Sequence, residues 1–192
     1  MPQYFTEGAL TLTFPDDWHV VKYDEPGASF YQKHIKTIGA DLTAVDFIAA
    51  TPDNARLWLI EVKDFRGYAV ENRKRLTSGS LAVEVMANFL DTIAGLFAGI
   101  HGRQAAPLRV APAFQNPNVT VCATLLVATD PLPSAATPKR LSPTDQKLLA
   151  AEQKWRGEML LTFQSRLKKP FRFTVHLFDH DQIAVRYGWS AA

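Results

Sequence analysis

The sequence predicts a mixed α/β fold of the α+β kind: a mixed central β-sheet flanked by helices, with a C-terminal helix and β-hairpin added to it. Three observations lead there. Short strand-like runs follow one another over the first third of the chain. Two long helical stretches come later, and a strand-like run follows each. The resulting order, β-β-β-β-α-β-α-β-β, suits one sheet with helices packed against it.

The first two strands are expected at Ala9 to Phe14 and Trp18 to Tyr23, separated by the turn-forming Pro15-Asp16-Asp17. Pro26-Gly27 marks a break, and Ala28 to Lys36 carries no clear signal. Leu42 to Ala50 and Leu57 to Val62 are apolar runs joined by Thr51-Pro52-Asp53-Asn54-Ala55-Arg56, which reads as a hairpin. A helix is expected from Leu81 to about His101, apolar around most of its circumference and therefore largely buried. A proline-containing loop, Gly102 to Asn118, leads to the apolar strand Val119 to Ala128. Asp130 to Arg140 reads as an exposed connector. Ser142-Pro143-Thr144-Asp145 then opens a second helix: Ser142 caps it, Pro143 suits its first position and Asp145 favours the positive end of its dipole. That helix runs to roughly Lys168, and Phe171 to Leu177 with Gln182 to Tyr187 reads as a closing hairpin.

With 192 residues, 47% hydrophobic and 21% charged, the chain has the balance of one globular domain spanning 1–192. The stretch from Phe89 to Ile100 is interrupted by Asp91, Thr92 and two glycines, which argues against a bilayer-spanning segment. The first residues lack the basic start and apolar run of a signal peptide. A lone Cys122 inside an apolar run suits a reducing compartment, so a cytoplasmic location without a membrane partner is expected. Cys122 itself is expected to be a small buried apolar residue, and Trp155 and Trp189 are expected in the core. The net charge of +2 is small, but Lys139 to Arg172 holds nine basic and three acidic residues. That asymmetry suits a polyanionic ligand, although solvated helix faces produce the same count. The five histidines lack the mutual spacing of a zinc site.

The hairpin carries the chemistry. With its turn centred between Asp53 and Asn54, Asp46 lies opposite Glu61 with both side chains on one face. Lys63 joins that face by alternation, while Val45, Phe47, Ile60 and Val62 point the other way. A one-residue slip would break the alignment. Charges within apolar strands are costly unless paired or bound to a metal. Two facing carboxylates repel and call for a cation. A hard divalent ion held by Asp46 and Glu61, completed by waters and substrate phosphate, describes a Mg²⁺ site, with Mn²⁺ as substitute. There the ion lowers the pKa of a bound water and stabilises phosphoryl charge, while Lys63 steadies the water or the phosphate.

Ala44-Val45-Asp46-Phe47-Ile48-Ala49 followed by Leu57-Trp58-Leu59-Ile60-Glu61-Val62-Lys63-Asp64 resembles the PD-(D/E)XK nuclease superfamily, the restriction-endonuclease-like fold. The resemblance implies an α-β-β-β-α-β core over about 18–128, with 141–188 as an addition. It implies metal ligation by Asp46, Glu61 and the Val62 carbonyl, and Lys63 as the catalytic lysine. The implied partner is nucleic acid, chiefly DNA, and a homodimer is left open. Val45 stands where the family usually has proline. The first helix, which in many members carries a further acid, has no counterpart before Trp18; Glu7, Asp24 and Glu25 are the substitutes. Arg66, Arg73, Lys74 and Arg75 follow the motif and are candidates for phosphate contact, or else a solvated loop. Glu84, Asn88 and Asp91 share a helical stripe, read as solvent-facing ahead of substrate-facing. Two rival expectations remain: a non-catalytic member of the fold that binds nucleic acid or protein, and an interaction domain with an exposed apolar patch on Leu81 to His101 or Leu148 to Leu167.

Overall fold

The computed structural model of the chain describes residues 1–27, 29–39, 41–130, 142–180, 183 and 187–192. Five strands form the main sheet in the order β3 (His19–Lys22), β4 (Phe47–Ala50), β5 (Arg56–Asp64), β6 (Thr120–Ala128) and β7 (Thr174–Asp179). β3, β4 and β5 run antiparallel, while β6 and β7 continue parallel to β5. A second sheet combines β1 (Gln3–Glu7), β2 (Leu10–Phe14) and β8 (Ser190–Ala191). The molecule is therefore mixed α/β, with a five-stranded mixed sheet, a three-stranded sheet and helices.

The central strands are apolar on both faces because both faces are covered. On β5, Leu57 and Leu59 pack toward the helices, whereas Trp58, Ile60 and Val62 pack toward the three-stranded sheet. The helix side holds α2 (Ser80–His101) and α5 (Pro143–Phe163), where Phe89 meets Phe163 edge-on with ring centroids 6.3 Å apart. The other side is an aromatic layer in which Phe14 stacks on Trp189 at 5.5 Å. Trp155, Trp189 and Cys122 are buried, as expected, and so are Trp18 and Trp58.

The hairpin turn behaves as its residues suggest. Asn54 adopts φ 56°, a left-handed conformation that asparagine tolerates, and Thr51 Oγ1 and the Ala55 N–H both donate to Asp53 Oδ1. Phe47 pairs with Ile60, the register expected from the sequence. α5 begins as expected too: the Asp145 N–H donates to Ser142 Oγ at 3.1 Å, and Pro143 is its first residue.

Elsewhere the chain departs from expectation. The strands on either side of Pro15 belong to different sheets, β2 pairing with β1 and β3 with β4. Phe171 ends a short helix, Lys169–Phe171, reached from α5 through a π-helical turn at Gln164–Lys168. The strand after it, β7, is no appendage but the fifth strand of the main sheet, and β8 returns to β2. Of the expected partner strand, residues 182 and 184–186 lie outside the described residues, as does 131–140 of the connector. A further helix, α1 (Ala69–Thr77), precedes α2, and the loop after α2 holds two single turns, α3 (Ala105–Leu108) and α4 (Ala111–Phe114). The unassigned Ala28 to Lys36 contains a π-helical turn at Tyr31–Ile35.

α2 has 22 residues and is apolar enough to cross a bilayer by length and composition, longer than the interrupted core at Phe89 to Ile100 suggested. Half of that span is buried inside the protein, against the sheet and α5. Two glycines permit the close packing. A Cβ at Gly95 would lie 2.6 Å from the Tyr23 hydroxyl, and one at Gly99 2.5 Å from Pro107 and 2.8 Å from Phe30. Gly99→Ala gains about 1 kcal/mol of helix propensity but must displace a proline ring, and overpacking costs about 1–3 kcal/mol. Chemical denaturation should therefore show net destabilisation, the reverse of what helix propensity alone gives.

Candidate functional site

Asp46 sits one residue before β4, held by the Tyr23 N–H, which donates to its carbonyl at 2.7 Å. The β4–β5 ladder stops at Phe47 and Ile60. Beyond it, the Val62 N–H donates to Asp46 Oδ2 at 2.7 Å, so the side chain replaces the next main-chain acceptor. A strand residue sends its N–H and C=O toward the same neighbour, so the Val62 carbonyl also points past the end of β4 toward Asp46. Glu61 and Lys63 alternate with Trp58, Ile60 and Val62 and face the helices. Val45 departs from expectation: it joins the helix-side core, because regular alternation starts only at Phe47 and its N–H is taken by Thr92 Oγ1 at 3.0 Å.

A chain of charges runs from the strands to the helices. Lys63 Nζ lies 2.7 Å from Glu61 Oε1 and 3.1 Å from Glu84 Oε1 on α2. Glu84 Oε2 is 2.6 Å from Arg75 Nη2 on α1, and Arg75 also donates to Asn72 at 3.0 Å. Glu61 is 2% exposed, and its Oε2 has no hydrogen-bond partner among the described residues.

Burial pushes the Asp46 carboxyl well above the usual carboxylate range; the nearby Glu61 charge adds to this, and the Val62 N–H works against it. Asp46 still keeps part of its surface in contact with solvent. Burial also raises Glu61, opposed by Lys63 and by the side chain of Asn88. Burial disfavours the charged form of Lys63, but Glu61 and Glu84 outweigh it and raise its pKa. The repulsion between the two acids thus falls on Asp46, since Lys63 neutralises Glu61 and has no contact of its own with Asp46.

Of the possible additional acids, Glu7 is the one whose charge acts on Asp46, and it pairs with Lys22 at 3.3 Å. Asp24 instead accepts from Gln32. Glu25 lines a cleft of about 370 Å³ along the outer edge of β3, bordered also by Lys22, Phe30 and Arg109. Arg66 folds back onto Asp64 with contacts of 2.9 and 2.6 Å. Arg75 is engaged by Glu84, Lys74 is exposed on α1, and the side chain of Arg73 lies outside the described residues. The Glu84, Asn88, Asp91 stripe is a correction to the sequence reading, because it faces the strands. Glu84 holds Lys63, Asn88 is buried beside Glu61, and Asp91 accepts from the Thr43 N–H and hydroxyl at 3.0 and 3.2 Å. Glu84 and Asn88 are thus site residues that sequence reasoning placed on the wrong side, because α2 is apolar around so much of its circumference that its polar stripe looked like a solvent face.

Among the described residues no three acids, histidines or cysteines gather as a ready metal cage. Mg²⁺ does not need one, since one or two carboxylates with waters and phosphate oxygens suffice. The donor set fits that pattern. Asp46 spends Oδ2 on Val62 and Glu61 spends Oε1 on Lys63. Each keeps its second oxygen, and that of Glu61 is a buried acceptor without a close hydrogen bond among the described residues, with the Asn88 side chain nearby. Comparison with family models, curated proteins and solved structures returns no match, so the functional reading rests on this geometry.

Proposed function

We propose that the chain is a metal-dependent nuclease that hydrolyses phosphodiester bonds, with DNA as its nucleic acid. The observation that carries this is the buried Glu61, one oxygen on Lys63 and the other without a close hydrogen bond, beside a second carboxylate, Asp46, that forms no ion pair among the described residues. The order β3-β4-β5-α2-β6, an antiparallel meander followed by a helix and a parallel strand, supports the restriction-endonuclease-like comparison. No helix precedes β3 among the described residues, and Glu7 on β1 stands nearest in electrostatic terms to the missing acid.

In this reading Asp46, Glu61 and the Val62 carbonyl hold Mg²⁺ or Mn²⁺, which when bound supplies an acidified water and charge stabilisation. Lys63, kept protonated by two carboxylates, orients the attacking water or the phosphate oxygen. Asn88 and Glu84 position Glu61 and Lys63 from α2. Lys74, exposed on α1, contributes sequence-independent phosphate affinity.

One observation favours a second reading, a catalytically inactive nuclease fold that binds nucleic acid or protein. Glu84 ties up both Lys63 and Arg75, the cations nearest the site. Calorimetry with Mg²⁺ and Mn²⁺ on the native chain and on Asp46→Ala, paired with plasmid and single-strand cleavage, separates the two. The nuclease reading expects metal binding that the variant loses, and metal-dependent cutting reduced roughly a thousandfold or more, on the scale of losing a main catalytic group. Absence of metal binding in the native chain would sink it.

A further inference from the structure

α2 carries a second apolar face, and this one points to solvent. Val83, Ala87, Leu90, Ala94 and Phe97 follow one another at alternating spacings of four and three residues, and the line ends on His101. All six are exposed, Val83 at 60%, Leu90 at 40% and Phe97 at 66%. No acidic or basic residue other than the terminal His101 interrupts the line, whereas the outer face of a surface helix is ordinarily polar. The spacing is that of a coiled-coil seam.

The residues of the seam select its partner. Large side chains, Val83, Leu90 and Phe97, occupy one set of positions, and small ones, Ala87 and Ala94, the other. Two parallel copies would stack large on large and small on small, and no single interhelical distance would fit all the layers. Two antiparallel copies place Phe97 on the partner's Ala87, Leu90 on the partner's Ala94 and Val83 on the partner's His101. The two widest knobs, Phe97 and Leu90, then each meet an alanine, and the contact is self-complementary about a two-fold axis level with Thr92.

Charge agrees with this choice. The seam brings no like charges together along its length, and the acids at its margin are occupied, Glu84 by Lys63 and Arg75, Asp91 by Thr43. On the other margin the half-buried Ile93 and Ile100 add apolar surface. The seam is about 27 Å long and about 10 Å wide, less than the roughly 800 Å² per partner of a standard interface. An association of that size is reversible and depends on concentration.

We propose that the exposed face of α2 is a homodimerisation surface, joining two copies of this chain through an antiparallel α2–α2 seam. It stands apart from the hydrolytic reading and survives or fails without it. Sedimentation velocity of the full chain should show a monomer–dimer equilibrium in the micromolar range. Leu90→Glu sets two carboxylates beside the axis and should weaken it by roughly a hundredfold, with an unchanged far-ultraviolet spectrum because Leu90 lies on the outer face. If that variant misfolds, Phe97→Ser tests the same contact. Orientation is read by mild oxidation. The double variant Ala87→Cys/Phe97→Cys should form a covalent dimer, whereas Ala87→Cys alone should not, its two copies lying about 15 Å apart. A monomer at every concentration, a dimer indifferent to Leu90→Glu, or ready cross-linking of Ala87→Cys alone would overturn the proposal. So would binding of the monomer to phosphatidylcholine vesicles that Leu90→Glu abolishes, which would make a lipid surface the occupant.

Discussion

Lys63→Met should destabilise the fold by about 3–5 kcal/mol, the scale of removing one partner from a buried ion pair. Methionine keeps the length and most of the volume of the side chain, so little of this comes from a cavity. The loss comes from Glu61, whose side chain is 3% exposed and whose only ion-pair partner among the described residues is Lys63 at 2.7 Å. Without it both carboxylate oxygens are buried and uncompensated, since Oε2 already has no partner among the described residues. Glu84 suffers less, because Arg75 still holds it and it reaches solvent. Urea denaturation measures the effect, and Lys63→Met/Glu61→Gln should recover most of the loss by removing the stranded charge along with its partner. On the proposed metal site, Mg²⁺ should raise the midpoint of Lys63→Met more than that of the native chain, since the metal would then neutralise the charge that Lys63 balanced. A cost under about 1 kcal/mol, the value of a surface pair, would show that Glu61 is solvated in solution.

Asp46→Asn should act in the opposite direction, stabilising the metal-free protein at neutral pH by about 1–3 kcal/mol, the penalty range of a buried group lacking its partner. Asparagine can still accept from the Val62 N–H through its carbonyl oxygen, so the contact at 2.7 Å is kept while the charge goes. The pH dependence identifies the cause. Burial and the Glu61 charge raise Asp46 above its unfolded value in the folded state. Its contribution is therefore fully present below the unfolded pKa, near 4, and is lost as pH rises through the folded value. Asp53, Asp64 and Glu84, held low by their hydrogen bonds and ion pairs, give the opposite slope. They are common to both proteins, so the difference between native chain and variant isolates Asp46. That difference should grow from pH 4 toward pH 8 and, on the proposed metal site, shrink again with Mg²⁺, which the native carboxylate would bind more strongly than the amide. A constant difference would mean that Asp46 is ionised throughout.

The heart of the site was legible because it is local. Asp53 and Asn54 specify a turn, the turn specifies a register, and the register sets Asp46 beside Glu61. The same arithmetic failed at Val45, which lies before the regular strand begins and answers to Thr92 instead. What sequence could not supply was everything brought in from a distance. Glu84 and Asn88 were visible as a stripe, yet only the docking of α2 on β5 decides that the stripe faces Lys63 and Glu61. β1 was missed because Gln3-Tyr4-Phe5-Thr6-Glu7 is polar and only half-buried. β7 was read as half of a hairpin, since local alternation cannot distinguish an antiparallel neighbour from the parallel β6. The cations of the 66–75 segment illustrate a related limit. Sequence gives their number, but the contacts with Asp64 and Glu84 decide that Arg66 and Arg75 are committed within the fold.

The pairing of β2 with β8 also governs when the molecule can be completed. Leu12 and Thr13 find their partners at Ala191 and Ser190, and Phe14 finds its stacking partner at Trp189. During synthesis the β1–β2 hairpin must therefore wait until residues 189–191 emerge. Meanwhile the face of β5 bearing Trp58 and Ile60 lacks part of its cover. Contacts of such sequence separation slow folding and lengthen the exposure of sticky intermediates. A nascent chain stalled before Trp189 should thus be a chaperone client, while one from which residues 189–191 have emerged should not.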